Sequence, residues 1–80
     1  MAQAAIVVPD LGEQVMRVRV SRWLVPLNAR LEADDVVVAV STEKIDVDLV
    51  APIAGTLTAV HVREGEFVAI GATLGEITSD

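Results

Sequence analysis

A chain of 80 residues and 8.5 kDa has room for one small domain, spanning 1–80, and one core; an enzyme with a separate substrate domain does not fit. Twelve acidic residues against six basic ones leave a net charge of −6, the wrong sign for neutralising phosphates, so nucleic acid is not an expected partner. Cysteine is absent and the aromatic residues are Trp23 and Phe67, so no disulfide or thiolate metal site can staple the domain, and aliphatic packing must hold it.

Val, Ile and Thr make up 25 of the 80 residues, and their β-branched side chains favour strands. In chain order, Ala5 to Val8 is a short apolar run closed by Pro9 and Gly12. Val18 and Val20 alternate with Arg17 and Arg19, a strand with one solvated face. Trp23 follows, expected in the core with its N–H on a partner, and Pro26 ends the segment. Val36 to Val40 is a β-branched run. Ile45, Val47 and Leu49 alternate with Asp46 and Asp48, which predicts a strand with one wet face. Pro52 and Gly55 precede a candidate strand from Leu57 to Val62, and Gly65 and Gly71 precede one from Thr73 to Ile77. No window sustains a helical period, so the fold class is all-β. The longest apolar runs, Ala4 to Val8 and Val36 to Val40, are five residues each, too short for a membrane span or a signal-peptide core. No arginine-rich transit segment is visible. The expectation is a soluble protein of the bacterial cytoplasm, or of the mitochondrial matrix after removal of a transit segment.

A shift of 37 residues lays the second half of the chain on the first. Val20 meets Leu57, Trp23 meets Val60, Val25 meets Val62, Leu31 meets Val68, Val37 meets Leu74 and Val40 meets Ile77. Asn28 meets Gly65 and Asp34 meets Gly71, all residue types that tolerate positive φ. Two such units imply a quasi-twofold domain whose halves pack face to face as a flattened sandwich. The turn near Lys44 joins the halves and should project at one end, with the termini at the other. The shift also sets position 44 against Val7.

The segment Ser41-Thr42-Glu43-Lys44-Ile45-Asp46-Val47-Asp48 holds the sole lysine at this pivot. Glu43-Lys44-Ile45 resembles the acid–Lys–aliphatic motif at the hairpin tip of lipoyl domains from the acyltransferase subunit of 2-oxo acid dehydrogenase complexes. Pro9-Asp10-Leu11-Gly12-Glu13 resembles that family's opening loop, and Trp23-Leu24-Val25 its second strand. Ala51-Pro52-Ile53-Ala54-Gly55 and Arg63-Glu64-Gly65-Glu66-Phe67-Val68 are similar to its later segments, so the resemblance covers nearly the whole chain. It implies a flattened β-sandwich, or barrel-sandwich hybrid, of two quasi-twofold sheets. It implies lipoic acid in amide linkage on Lys44, attached by a lipoate ligase or an octanoyl/lipoyl transferase. The resulting arm would shuttle acyl groups and reducing equivalents between three partners: a thiamine-diphosphate-dependent dehydrogenase, the acyltransferase core and dihydrolipoamide dehydrogenase. The domain would be a carrier and not itself an enzyme, the N-terminal part of a longer acyltransferase with a linker starting in its last few residues. Residues around the hairpin, Thr42, Glu43 and Ile45, and in the opening loop, Asp10, Leu11, Gly12 and Glu13, would serve recognition. The stretch 14–20 departs from the family by lacking glycine and carrying two arginines, which bears on partner choice.

Two other carrier-sized readings exist. Biotin carriers share the architecture but set methionines on both sides of the lysine, where this chain has Glu43 and Ile45. An unmodified structural sandwich is the other. His61 has no second ligand nearby in sequence and is expected as a half-buried strand residue. Glu64 and Glu66 around Gly65, and Asp34-Asp35, read as exposed turns. Arg17 and Arg19 read as a solvated strand face, with a partner-docking strip as the alternative.

Overall fold

The computed structural model describes residues 2–12 and 15–79. Its regular elements are eight strands: β1 (Gln3–Val7), β2 (Arg17–Trp23), β3 (Arg30–Leu31), β4 (Val36–Ser41), β5 (Asp46–Val50), β6 (Gly55–Val60), β7 (Phe67–Ala69) and β8 (Thr73–Thr78). They form two four-stranded antiparallel sheets, ordered β1-β8-β6-β3 and β5-β4-β2-β7. The period of two read in the sequence sets the faces. Val18 and Val20 point inward while Arg17 and Arg19 face solvent; Leu49 is buried between exposed Asp48 and Val50. Val37, Val38, Val40, Leu57, Leu74 and Ile77 are fully buried between the sheets, and every core residue is aliphatic. Ile45, expected on the buried face, instead precedes β5 at the hairpin tip and is 48% exposed.

The quasi-twofold relation holds bond by bond. The Asn28 N–H donates to the Leu57 carbonyl at 2.8 Å, and its counterpart, the Gly65 N–H, donates to the Val20 carbonyl at 2.7 Å. Leu24 N–H to Val37 O (2.8 Å) is matched by His61 N–H to Leu74 O (2.9 Å). The β2–β4 and β6–β8 ladders are both interrupted, around the equivalent Ser21 and Thr58. Among the described residues, those with positive φ outside glycine are Asn28 (72°) and Asp34 (73°), and they pair with Gly65 (90°) and Gly71 (87°) across the 37-residue shift. These four corners turn the chain where only Asn, Asp or Gly is tolerated at small cost.

For the first strand the shift of 37 fails. Val8 N–H donates to Ala72 O, and its mate is Ala51 N–H to Asp35 O, which equates Val8 with Ala51 at a shift of 43. β1 therefore matches β5, Pro9 matches Pro52, and Gly12 matches Gly55. Position 44 does not correspond to Val7. The change from 43 to 37 means that the β1–β2 connection carries six residues without a counterpart between β5 and β6. A sequence repeat read at one shift could not show this insertion.

Gly55 is required by close approach rather than by turn geometry. A Cβ there would collide with the carbonyl oxygen of Thr78, and with Ser79 Cα at 2.9 Å, both backbone atoms that cannot swing away. Gly55→Ala is therefore expected to destabilise the fold by at least about 2 kcal/mol in urea unfolding. Unchanged stability would contradict the packing of β6 against the end of β8.

Candidate functional site

β4 and β5 deliver the sole lysine. Their last pair is Ser41 with Asp46, leaving Thr42, Glu43, Lys44 and Ile45 as the connection. Thr42 closes it. Its N–H donates to the Ile45 carbonyl at 2.8 Å, and its Oγ1 accepts from the N–H groups of Ile45 (3.1 Å) and Lys44 (3.3 Å). Favoured two-residue hairpins need positive φ at the tip, yet Glu43 and Lys44 are not among the residues with positive φ. The threonine hydroxyl supplies bonds to the tip amides. Glu43, Lys44, Ile45 and Asp46 are all exposed, and no ion pair or hydrogen bond holds the Lys44 side chain among the described residues. Its amine projects from a fixed backbone into solvent.

The opening loop lies at the same end. Ser41 pairs with Arg19 on β2, and β2 runs from there back towards Met16, whose carbonyl accepts from Ile70 N–H at 3.2 Å. The next residue, Gly71, donates to Val8 O, which places the exit of β1 and the Pro9–Gly12 loop beside the Lys44 end. Asp10 Oδ1 accepts from Gly12 N–H at 3.0 Å, and Leu11 packs against the core. No hydrogen bond joins Asp10, Leu11 or Gly12 to the Thr42–Ile45 turn. Glu13 lies outside the described residues. Ala2 sits at the other end of β1, about 20 Å away at strand rise, where Ser79 N–H donates to Ala2 O at 2.7 Å. Termini and lysine thus occupy opposite ends, as the repeat predicts.

The terminal pairing also reproduces the lysine turn. Ser79 N–H to Ala2 O (2.7 Å) corresponds to Thr42 N–H to Ile45 O (2.8 Å). Ala2 N–H to Ser79 Oγ (2.9 Å) corresponds to Ile45 N–H to Thr42 Oγ1 (3.1 Å). The hydroxyl at position 42 was visible in sequence only as a neighbour of the lysine; a serine at the twofold-related position 79 is the signal that marks it as structural.

The remaining candidates have local roles. Trp23 is half-buried and its Nε1–H donates to Val62 O at 3.1 Å. Glu64 accepts from Trp23 N–H at 3.0 Å and Glu66 from Arg63 N–H at 3.1 Å, so both pin the Gly65 turn. Asp35 accepts from Glu32 N–H at 2.8 Å across the Asp34 corner. His61 is not a half-buried strand residue: it follows β6, is exposed, and its Nε2 lies 2.7 Å from Glu76 Oε2. No cluster of three metal-ligating side chains exists among the described residues. Neither a groove lined by Trp23–Leu27, Val60 and Val62–Glu64 nor one between β1 and β5 includes Lys44.

A free lysine on a fixed tip, carried by two interlocked quasi-twofold sheets, defines an attachment domain of the barrel-sandwich type. A family described as "Biotin-requiring enzyme", the biotin/lipoyl attachment family, matches residues 4–77, and the chain belongs to it. It is 35% identical over 72 residues to the dihydrolipoyllysine-residue acetyltransferase component of the pyruvate dehydrogenase complex of Mycobacterium tuberculosis, covering 90% of this chain and 13% of that protein. It is 32% identical over 72 residues to the succinyltransferase component of the 2-oxoglutarate dehydrogenase complex of Rickettsia conorii, covering 90% of this chain and 18% of that protein. The chain therefore spans a small part of the length of these relatives. Among solved structures, the lipoyl domain of the 2-oxoglutarate dehydrogenase complex of Azotobacter vinelandii superimposes with a TM-score of 0.74 at 23% identity, over 94% of this chain and 98% of that one. A segment of a long-chain acyl-CoA carboxylase gives 0.81 at 23% identity, over 98% of this chain and 7% of that one. At that identity the structural matches establish the fold, the flattened two-sheet sandwich expected from the sequence. The sequence relatives are acyltransferase components of 2-oxo acid dehydrogenase complexes.

If the Thr42 hydroxyl fixes the tip, Thr42→Val should cost about 1 kcal/mol in urea unfolding and accelerate hydrogen exchange at the Lys44 and Ile45 amides, while Thr42→Ser should leave both unchanged. Equal exchange rates in all three proteins would show that the hydroxyl contributes nothing.

Proposed function

We propose that Lys44 carries lipoic acid and that the domain serves as the swinging-arm carrier of a 2-oxo acid dehydrogenase complex. The observation that carries this reading is the placement of the sole lysine, exposed and unpaired, at the tip of the hairpin that joins the two halves. The site suits the group. An amide bond needs an accessible amine, and a long arm needs an anchor that does not move with it. Thr42 and the β4–β5 ladder hold that anchor. Glu43, Asp46 and Asp48 keep the surrounding surface solvated. Lipoic acid, when attached, supplies a cyclic disulfide that takes up acyl groups and electrons. The protein's part is presentation: tethering replaces a diffusional encounter with a local concentration of order mM. Amide formation removes one positive charge, taking the net charge from −6 to −7.

The partners under this reading are a thiamine-diphosphate-dependent 2-oxo acid dehydrogenase, dihydrolipoamide dehydrogenase, the acyltransferase core, and the lipoate ligase or octanoyl/lipoyl transferase that modifies Lys44. Such a carrier works in the bacterial cytoplasm or the mitochondrial matrix. Glu43 and Ile45, in place of flanking methionines, favour lipoyl over biotin.

Co-expression with a lipoate ligase and, separately, a biotin ligase tests the reading by intact mass. A lipoyl adduct that disappears in Lys44→Arg is expected; a biotin adduct, or none with either ligase, refutes it. Glu43→Ala should lower reductive acylation of the lipoylated domain by roughly tenfold with no change in melting temperature, because Glu43 is exposed at the tip and makes no hydrogen bond. Parallel losses of acylation and stability would assign Glu43 to the fold instead.

A further inference from the structure

The outer face of the sheet that carries Lys44 is charged in a pattern that the fold does not need. Arg17, Arg19 and Arg22 are all exposed on β2, and they are three of the six cations in a chain with twice as many acids. Arg17 and Arg19 share the outer face two residues apart, about 7 Å along the strand. Among the described residues none of the three forms an ion pair, although carboxylates are abundant. Arg17 instead lies over the Phe67 ring at 4.8 Å, and that ring is 60% exposed on the neighbouring edge strand β7. Glu64, whose carboxylate accepts from the Trp23 N–H beside Arg22, forms no ion pair with it, and the acids across the sheet on the same face are Asp46 and Asp48. They stand two strands away from Arg19 and Arg22, across Ser41 and Ala39, at about 10 Å, where screening removes most of the attraction.

The opposite sheet is an internal control. Under the twofold relation Arg19 corresponds to Thr56 and Arg22 to Ala59, while Asp46 and Asp48 correspond to Gln3 and Ala5. The same strand geometry is therefore built there without the basic ridge or the acidic edge. Clustering like charges without partners costs stability in the free domain, so the pattern has a cause outside the fold. Its position gives the cause. Arg19 pairs with Ser41, three residues from Lys44 and so within about 10 Å of it along the strand. An enzyme that receives the arm of Lys44 from this side must lie over β2.

We propose that the Arg17–Arg19–Arg22 ridge, with Phe67 at its flank, is the docking surface for a carboxylate-rich face on the thiamine-diphosphate-dependent dehydrogenase that accepts the Lys44 arm. This rests on the carrier reading above. The ridge adds encounter rate and orientation, the usual contribution of complementary charge at a rim. Arginine suits the task, since its planar fork engages carboxylates bidentately and stacks on Phe67.

The test uses the residues that the other sheet already tolerates. Arg19→Thr with Arg22→Ala copies Thr56 and Ala59 and should leave the melting temperature unchanged. Intact mass after lipoate ligase treatment is read first; absence of the lipoyl adduct on the wild-type domain overturns the carrier reading and this proposal together. With the adduct complete, reductive acylation is measured with the purified thiamine-diphosphate-dependent dehydrogenase of the same organism at low and high salt. The expected result is a KM raised roughly tenfold at low salt, kcat unchanged, and a flattened salt dependence, with Arg19→Lys/Arg22→Lys recovering much of the loss. Unchanged KM and salt dependence overturn the docking proposal alone. It is equally overturned if the wild-type ridge instead drives salt-sensitive dimerisation in sedimentation, or binding to phosphatidylserine vesicles, and the variant loses it.

Discussion

Each sheet takes its two central strands from one half of the chain and both its edge strands from the other: β4 and β2 are flanked by β5 and β7, and β8 and β6 by β1 and β3. Neither half can bury its valines and leucines alone, because the facing layer and the edge strands belong to its partner. The chain must cross between layers to do this, at every connection but the β4–β5 hairpin, and four of the six crossings turn at Asn28, Asp34, Gly65 and Gly71. Residues of positive φ thus make most of the crossings in a domain that has no disulfide to fall back on.

The Lys44 turn inherits its rigidity from this arrangement. β4 is a central strand, paired on one side with β5 and on the other with β2, so the hairpin cannot fray without opening two ladders. The paired ends of the chain, Ala2 and Ser79, form the same bonds with a serine hydroxyl in place of threonine. The fold therefore makes this turn geometry twice, once closed by peptide bonds and once by two strand ends. Nothing in the geometry requires a lysine, and lysine occurs at one of the two. The turn is a scaffold feature; the amine on it is the chemistry.

Much of this was legible in the sequence because the strands obey a strict period of two and the halves repeat at one shift. Val18, Val20, Leu57 and Ile77 were placed inward by alternation and by the repeat, and the corner at Asn28 was legible because its mate is a glycine. Three things were not. The insertion before β2 hides because strands β1 and β5 share little identity beyond their Pro–Gly ends, and only hydrogen bonds reveal the shift of 43. The exposure of Ile45 contradicts its alternation with Asp46, because periodicity does not say where a strand stops and its turn begins. The solvation of His61 follows from the bulge at Thr58 and the end of β6 one residue earlier, which are backbone events without a side-chain signature.

A symmetric scaffold makes its departures from symmetry informative. Trp23 faces Gly75, with the ring 3.2 Å from where a Cβ would sit, whereas the related positions, Val60 and Val38, are both valine. That departure is compensated in volume across the core and so belongs to packing. The arginines of β2 have no such compensation: their mates are threonine and alanine, and among the described residues no carboxylate forms an ion pair with them. The β1–β2 connection, six residues longer than its counterpart, likewise leaves β1 through Val8 and enters β2 through Met16 at the Lys44 end, not at the termini. Uncompensated asymmetry is thus concentrated around one of two equivalent turns, the one bearing the lysine. A core under selection for stability alone would not distinguish between the two turns, so the distinction is imposed from outside the domain, by what meets Lys44.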